Sequence, residues 1–540
     1  MRKSGILLHI SSLPSAYGIG KMGASAYAFA DFLEKSEIGV WQILPLSPTS
    51  YGDSPYQSFS VHAGNPYFID FETLEQQDLL LPEEYKTISW GSDPRRVDYA
   101  CIYQNCFAVL RKAFARFDQQ LPAYQQFCKE QADWLPDYAL FMALKQAHGG
   151  TSWDQWEKPL VMRQPKALAE AKKTYQEDIA FYSVMQFWFQ QQWFALKQYC
   201  NQKGISIVGD MPIYVAYDSV EVWSMPELFC LDAERVPIEV AGCPPDAFSP
   251  TGQLWGNPLY QWDYHKKTHY AWWVRRMQRA TQLYDIVRID HFRGFESYYT
   301  IPYGNETAEI GQWRKGPDYA LFEALQKELG DLPVLAEDLG FVTPEVQKLL
   351  DRCGYPGMKV LQFAFDSDSS NSYLPHNYTT SNCVAYTGTH DNMTLRGWLA
   401  DASKRELRFA KKYLRCKEKH DVPAEMVRAA WSSVAELAVA QMQDFLESPA
   451  CARMNTPSTS GGNWQYRTQK EDFTKKLAKK IRKLNELYNR CRSTALQQKT
   501  EEEILAQEPE PTPKSDEKPT PSDTKPSAKP AVSKGANKDE

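Results

Sequence analysis

Residues 285–291 read DIVRIDH and show most plainly the strand pattern from which the fold can be predicted. The apolar, β-branched interior of this stretch predicts a buried strand that ends in charged residues. Residues two apart on a strand share a face, so Arg288 and Asp290 point one way while Val287 and Ile289 point the other. A fixed guanidinium beside a carboxylate lowers the pKa of that carboxylate and keeps it ionised. Asp290 is therefore a candidate nucleophile at the end of a strand.

Six further apolar runs predict strands of the same kind. The runs are Gly5–Ile10, Trp41–Leu46, Ile205–Val215, Pro333–Leu339, Gly357–Phe365 and Cys383–Thr389. Helical patterns lie between several of them: residues 24–37, Tyr319–Leu329, and a helix capped by Thr343-Pro344-Glu345 that ends at Gly354. This alternation predicts the α/β class and a (β/α)8 TIM barrel, with the eighth strand expected near Ala452–Asn455.

Two segments interrupt the alternation of strands and helices. Residues from about 67 to 203 have a helical pattern and are too many for a connection, so they predict an inserted, mostly helical subdomain. Residues 496–540 are rich in Pro, Lys, Ser, Thr and Glu and cannot bury a core, which predicts a disordered tail. The predicted organisation is a catalytic barrel over residues 1–495, including the insertion, followed by the tail over 496–540.

The composition of the 540 residues argues against several classes of protein. The net charge of −6 argues against nucleic-acid binding, and the lysine-rich run 475–484 is typical of the polar face of a surface helix. No apolar run reaches the roughly 18 residues of a membrane span, and the N-terminal apolar run is too short for a signal peptide. We therefore expect a cytoplasmic protein that binds neither nucleic acid nor membrane. The sequence does not indicate an oligomeric state.

Two patterns raise the question of a bound metal or cofactor. The eleven cysteines form no CxxC pair, and Cys416 with His420 lacks a second pair at ligand spacing. Residues 18–23 spell GxGxxG, but residues 11–17 separate these glycines from the preceding strand. The dinucleotide fingerprint requires glycines where the strand turns into the helix, so a glycine-rich loop over a binding cleft is the favoured interpretation. No metal and no cofactor are expected.

Acidic residues follow other predicted strands. Glu337 follows an apolar run, where burial raises the pKa of a carboxyl group and suits it to donate a proton. Asp391 follows the run that ends at Thr389, and Asp210 lies in the third strand. One strand-end aspartate is more often a helix cap. Four acids at the rim of one barrel, one with an arginine in register, favour chemistry at a glycosidic bond, which needs two carboxyl groups.

The motifs around these acids resemble those of the α-amylase superfamily and, more closely, of the amylomaltase family of 4-α-glucanotransferases. The likeness covers about residues 5–490. It includes residues 7–9 with 12–14 (LLH and SLP), 51–58 (YGDSPYQS), 209–213 (GDMPI), 244–246 (PPD), 251–258 (TGQLWGNP), 288–295 (RIDHFRGF), 336–340 (AEDLG) and 387–392 (TGTHDN). Motifs of this length in this order are highly specific.

The resemblance implies roles for particular residues. Asp290 would be the nucleophile, Glu337 the general acid/base and Asp391 the stabiliser of the transition state. Five further residues would bind substrate: Arg288 and His390 in the same subsite, Asp210 supporting it, Tyr56 stacking on the donor sugar and Trp255 on a lid-like loop. The substrates would be α-1,4-glucans and maltooligosaccharides, both as donor and as acceptor.

The chain departs from the related patterns at a few positions. No histidine follows Asp210 within a few residues, as it does in the hydrolytic α-amylases, and this favours the transferase branch. Met393, Ser458 and Tyr466 replace the polar residue, glycine and tryptophan that are common in the family. These three changes bear on substrate preference and leave the chemistry intact.

Two alternatives stay open at the level of sequence. A hydrolase of the same superfamily would use the same carboxylates, since transfer and hydrolysis share one intermediate and differ in whether sugar or water reaches it. A non-catalytic glucan-binding protein would keep the fold but would not need all three acids. A retaining reaction predicts that the carboxyl groups of Asp290 and Glu337 lie about 5–5.5 Å apart.

Overall fold

Eight parallel strands form the central barrel of the computed structural model, which describes residues 2–245, 249–340, 342–459 and 461–492. With strands numbered in chain order, the barrel consists of β1 (Lys3–Leu7), β2 (Val40–Gln42), β3 (Ser206–Pro212), β6 (Ile286–Asp290), β9 (Val334–Ala336), β10 (Gly357–Val360), β11 (Cys383–Tyr386) and β12 (Leu437–Gln441). A separate antiparallel sheet contains β4 (Glu239–Cys243), β5 (Gln253–Pro258), β7 (Ser297–Pro302) and β8 (Gln312–Lys315).

The barrel strands pair in the order β10-β11-β12-β1-β2-β3-β6-β9. β10 and β9 stand at the two ends of this order. The amide of Ala336 in β9 donates to the carbonyl of Pro356, just before β10, at 3.0 Å, and so brings these two strands together. The strands are almost entirely buried, as expected for a parallel sheet covered by helices. The predicted (β/α)8 barrel is confirmed.

The eighth strand lies earlier in the chain than the sequence predicted. β12 spans Leu437–Gln441, and the prediction of a strand near Ala452–Asn455 was wrong, since Ala450–Ala452 is a single 3-10 turn. The sequence of β12 is LAVAQ, in which alanine and leucine favour a helix. Pairing with β1 on one side and β11 on the other makes it a strand, so tertiary contacts override the local preference.

Eighteen α-helices lie in the described residues. Seven of them fall between β2 and β3: α2 (Phe71–Glu75), α3 (Tyr99–Arg116), α4 (Pro122–Glu130), α5 (Leu135–Ala147), α6 (Lys158–Val161), α7 (Pro165–Thr174) and α8 (Gln176–Gln202). The others are α1 (Ala24–Lys35), α9 (Val220–Ser224), α10 (Trp262–Lys267), α11 (Ala271–Leu283), α12 (Tyr319–Leu329), α13 (Pro344–Cys353), α14 (Leu395–Asp401), α15 (Lys404–Tyr413), α16 (Val422–Ser432), α17 (Met442–Phe445) and α18 (Lys475–Leu487). The segment predicted as a helical insertion contains these seven helices, with irregular chain and one 3-10 turn each between α2 and α3 and between α5 and α6.

The antiparallel sheet was not predicted. Its order is β5-β4-β7-β8, so its central pair joins residues that lie some 60 positions apart, for example Val240 with Ile301. Such non-local pairing leaves little trace in a local pattern. The sheet matters for the site because β5 carries Trp255.

The GxGxxG stretch is a packing feature. Residues 18–23 are buried, and a Cβ at Gly20 would lie 1.8 Å from the carbonyl oxygen of Ile10. The ammonium of Lys21 donates to the carbonyls of Tyr67 and Ile69 at 2.9 and 3.0 Å. The loop is therefore closed by the chain itself, in contrast to the open loop over a cleft that the sequence predicted.

Three predictions concern other parts of the chain. The tail over 496–540 and Asp246 of the PPD motif lie outside the described residues, and the boundary at residue 495 stays a prediction. The lysine-rich run lies on α18, whose buried positions include Ala478 and Ile481 and whose lysines are solvent-exposed. Among the described residues, no helix is long and apolar enough to cross a membrane.

Candidate active site

Arg288 lies at the centre of a buried group of charges at the carboxyl end of the barrel. Its Nη1 atom is 2.9 Å from Oδ1 of Asp290, and 2.9 and 2.7 Å from the two carboxylate oxygens of Asp210. The arginine and Asp210 are buried, whereas the Asp290 side chain is 29% exposed. One guanidinium thus bridges two carboxylates, and only one of the two carboxylates reaches solvent.

The strand register explains this arrangement. β3 and β6 are neighbours, and Asp210 is the direct partner of Arg288. Asp290 follows Arg288 by two residues on the same face of β6, as predicted from the alternation of side chains. Regular strand geometry therefore determines the positions of Arg288 and of the two aspartates, and no loop is needed to place them.

Glu337 follows β9 and faces the end of β6. Its Oε2 accepts from the amide of His291 at 2.8 Å, and its Oε1 accepts from the amide of Leu339 at 2.7 Å. Burial and the nearby negative charge of Asp290 raise the pKa of Glu337 to about 7, against the opposing effects of Arg288 and the two amides. The direction of this pKa shift agrees with the sequence prediction. It allows the Glu337 side chain to be protonated, and so to donate a proton, near neutral pH.

Asp391 lies on the loop between β11 and α14. Its side chain is 42% exposed, and its Oδ1 atom accepts from Nδ2 of Asn455 at 2.6 Å and lies 3.3 Å from Nε2 of His390. Arg453 donates to the Asp391 carbonyl, and the amide of Asn455 donates to the carbonyl of His390 at 3.1 Å. The loop is thus held by residues that follow β12.

Tyr56 connects the Asp391 loop with the Arg288 cluster. Its hydroxyl donates to Oδ2 of Asp210 at 2.8 Å, and its ring stacks on the ring of His390 with centroids 5.0 Å apart. Burial and the charge of Asp290 raise the pKa of Asp210 to about 6, although Arg288, His390 and the Tyr56 hydroxyl act in the opposite direction.

Trp255 stands next to the strand end that carries Asp290. Its ring packs edge-on against His291, with ring centroids 4.8 Å apart. His291 adopts a left-handed backbone conformation with φ of 55°, which starts the turn after β6. Burial lowers the pKa of His291 to about 4, so this ring is neutral. The antiparallel sheet thus brings an aromatic side chain to the acids of the barrel.

Comparisons with known proteins place this arrangement in a family. A family model described as 4-alpha-glucanotransferase matches residues 8–474. The chain belongs to the 4-alpha-glucanotransferase family. It is 48% identical over 487 residues to a 4-alpha-glucanotransferase of Clostridium butyricum, which covers 90% of this chain and 100% of that protein. It is also 47% identical over 500 residues to one of Thermus thermophilus, covering 91% and 99%.

A solved structure agrees with the sequence relatives. The amylomaltase from Streptococcus agalactiae, solved in complex with acarbose, superimposes with a TM-score of 0.89 at 44% identity, covering 91% of this chain and 100% of that one. The chain is therefore a glycosyltransferase-type enzyme, a 4-alpha-glucanotransferase of the amylomaltase kind. The predicted family resemblance is confirmed.

The three departures from the common 4-alpha-glucanotransferase pattern lie in different surroundings, and nothing in the structure explains the choice of methionine, serine or tyrosine. The backbone carbonyl of Met393 accepts hydrogen bonds from the side chains of Gln362 and Gln441. Any residue at this position supplies that carbonyl. Ser458 has a positive φ of 61°, which explains why glycine is common at this position. Tyr466 is buried, and burial raises its pKa to about 12.

Several residues around the site were not predicted. Asn455 and Arg453 bind the Asp391 loop, and Trp464 packs at 5.8 Å from the ring of Tyr56. All three lie in irregular chain after β12, where no periodic pattern marks a residue. Among the described residues, no cluster of three or more potential ligands could hold a metal ion.

Proposed function

We propose that this 4-alpha-glucanotransferase moves α-1,4-glucan segments between maltooligosaccharides or starch- and glycogen-type glucans by a retaining double displacement. Asp290 attacks the anomeric carbon while Glu337 protonates the oxygen of the leaving glucan. The bond between the anomeric carbon and that oxygen breaks, and a glycosyl ester forms on Asp290. Glu337 then takes the proton of the acceptor's 4-hydroxyl, the acceptor oxygen displaces the ester, and the α-1,4 linkage is restored.

The observation that carries this mechanism is the contrast between the two carboxyl groups. Asp290 is partly exposed and lies 2.9 Å from the guanidinium of Arg288, whereas Glu337 is bound by two backbone amides and its pKa is raised to about 7. Two neighbouring carboxyl groups with such different surroundings divide the roles of nucleophile and proton donor. None of these steps needs a metal or an organic cofactor.

The remaining residues would bind the sugar at the cleavage point. Asp391 would accept hydrogen bonds from hydroxyls of the distorted ring, with His390 and Arg288 in the same subsite. Asp210 would fix Arg288, Tyr56 would stack on the donor sugar, and Trp255 would cover the cleft. Acarbose, the ligand of the Streptococcus agalactiae amylomaltase, would then occupy the same cleft in this chain.

We also propose that the reaction takes place in the cytoplasm. All eleven cysteines are free thiols. Such a set of unpaired cysteines is typical of a reducing compartment.

Incubation with maltotriose tests the proposed reaction. Transfer yields glucose and a ladder of longer maltooligosaccharides with no net gain in reducing ends, and Asp290→Asn should abolish this ladder while glucan binding persists. A steady rise in reducing ends would instead identify a hydrolase. A ladder from the Asp290→Asn variant would show that the nucleophile is assigned to the wrong residue.

A further inference from the structure

The loop that carries His390 and Asp391 is fixed at both ends by one buried carboxylate. Asp444, on α17, accepts from the hydroxyl of Thr387 at 2.6 Å through Oδ2 and from the amide of Leu395 at 2.8 Å through Oδ1. Thr387 is the first residue after β11 and Leu395 is the first residue of α14. The carboxylate therefore joins the point where the loop leaves the barrel to the point where it enters the next helix.

We propose that Asp444 is a positioning residue for transfer: it holds residues 387–395 so that Asp391 stands ready at the sugar. This inference rests on the role proposed above for Asp391. Asp444 is 6% exposed and contacts the loop through the two atoms named, so it acts on the reaction through Asp391 and does not touch substrate. Preorganised groups of this kind must be held to within fractions of an ångström to be effective.

The surroundings of Asp444 support a positioning role. Within the described part of the chain, no lysine, arginine or histidine forms an ion pair with Asp444, and burial raises its pKa to about 7. A buried carboxyl group without a cation is costly to maintain, and a neutral side chain would fill the space at a lower cost. What the carboxyl group supplies here is two acceptor atoms spaced to bind both ends of one loop.

The middle of the loop is held by other groups and has little room to adjust. The carbonyl of Met393 accepts from Nε2 of Gln362 at 2.8 Å and of Gln441 at 3.2 Å. A Cβ at Gly388 would lie 2.5 Å from Nε2 of Gln362, so the loop passes very close to these amides. Loss of Asp444 would therefore free the two ends while the middle stays anchored, so the loop would be distorted around Asp391 and not released as a whole.

The experiment compares Asp444→Ala with a matched control, Asp285→Ala, in the full-length protein. Asp285 also accepts from a backbone amide and a side chain, Ile207 and Asn201, but at the opposite end of β6. Steady-state kinetics with maltotriose should show a fall in kcat of up to ~100-fold for Asp444→Ala with KM changed less than about twofold. Asp285→Ala should lower Tm and leave kcat unchanged.

A double-mutant cycle separates positioning from a merely structural role. With an α-glucosyl fluoride as activated donor, Asp444→Ala added to Asp391→Asn should lower the rate less than about twofold further, since both act through one group. Multiplicative losses would overturn the proposal, as would an Asp444→Ala enzyme that loses Tm but keeps kcat. If Asp391→Asn alone keeps the wild-type rate, the role proposed for Asp391 fails, and the positioning proposal fails with it.

A second variant keeps the test decisive if Asp444→Ala does not fold. Thr387→Val removes the hydroxyl that Asp444 binds and retains the shape of the side chain. We expect kcat to fall about tenfold, because one of the two contacts by which Asp444 fixes the loop is lost. A Thr387→Val enzyme with unchanged kcat would contradict the proposal.

Discussion

At the scale of single residues, Glu337 gives the reaction its expected pH dependence. Its raised pKa of about 7 means that the carboxyl group is protonated below pH 7 and ionised above it. Glycosylation needs the protonated form, so kcat/KM for maltotriose should fall about tenfold per pH unit above pH 7. With an α-glucosyl fluoride, whose leaving group needs no proton, the first step should lose this dependence. An identical high-pH decline with the fluoride in single-turnover measurements would contradict the assignment.

Arg288 is a second residue whose replacement has a defined outcome. Arg288→Met would leave Asp210 and Asp290 facing each other without the cation between them, and removing one partner of a buried pair costs about 3–5 kcal/mol of unfolding free energy. Transfer activity should be lost as well. The control is Arg314→Met, which removes an ion pair with Glu239 whose arginine is 47% exposed, and its loss should cost less than about 1 kcal/mol. Equal costs in denaturant unfolding would contradict the account.

From the residues alone, the sequence predicts a role only where the signal lies close along the chain. Arg288 and Asp290 were predicted together because they are two apart on β6, and the raised pKa of Glu337 followed from its apolar strand end. Asn455 lies 64 positions from Asp391 and was missed, since nothing in a local pattern links them. Asp444 was missed for the same reason.

At the scale of elements, the close contact between β3 and the residue that precedes β6 leads to a third prediction. A Cβ at Gly209 would lie 2.1–2.3 Å from three ring atoms of Tyr284, which precedes β6 and is buried. Gly209→Ala should therefore cost about 1–3 kcal/mol through overpacking and displace the neighbouring Asp210. Gly39→Ala also adds a Cβ, but its nearest neighbours, in Arg492, lie at 3.4 Å, an ordinary van der Waals distance, which separates the effect of crowding from that of composition. Equal Tm values for Gly209→Ala and wild type would contradict the contact.

The elements that were predicted correctly have local signals, and the others do not. Helix α13 begins after Thr343, whose hydroxyl accepts from the amide of Val346, and ends at Gly354 with a left-handed φ of 71°, as its caps predicted. The eighth strand was predicted at the wrong position because the alanine-rich sequence of β12 also favours a helix. The antiparallel sheet was missed because β4 pairs with β5 and β7 across turns and long connections.

At the scale of the whole molecule, two C-terminal deletions should have different effects on stability and activity. Every proposed site residue lies within residues 2–492, so deleting 496–540 should leave kcat, KM and Tm unchanged. Ending the chain at Asn489 should instead destabilise the protein severely. That deletion removes the buried Arg490, whose guanidinium donates to the carbonyls of Lys3, Trp431, Ser433 and Ala435 at 2.7–3.0 Å. Loss of activity in the shorter deletion would contradict this prediction.

The barrel and the antiparallel sheet together account for transfer in one molecule. The barrel holds Asp290, Arg288 and Glu337 by strand register, and the sheet places Trp255 beside the same strand end. A cleft built in this way would hold an acceptor sugar and exclude water while the glycosyl ester waits on Asp290. The proposed mechanism therefore depends on the covalent ester at Asp290.

The most direct test is mass spectrometry of trapped enzyme. The Glu337→Gln variant should react with an α-glucosyl fluoride, because fluoride leaves without a proton, but should release the sugar slowly, because no base activates the acceptor. After rapid acid quench and peptic digestion, the account predicts one added glucosyl mass on the peptide that contains Asp290, and none in Glu337→Gln/Asp290→Asn. A glucosyl group on another residue, or none while transfer proceeds, would contradict it.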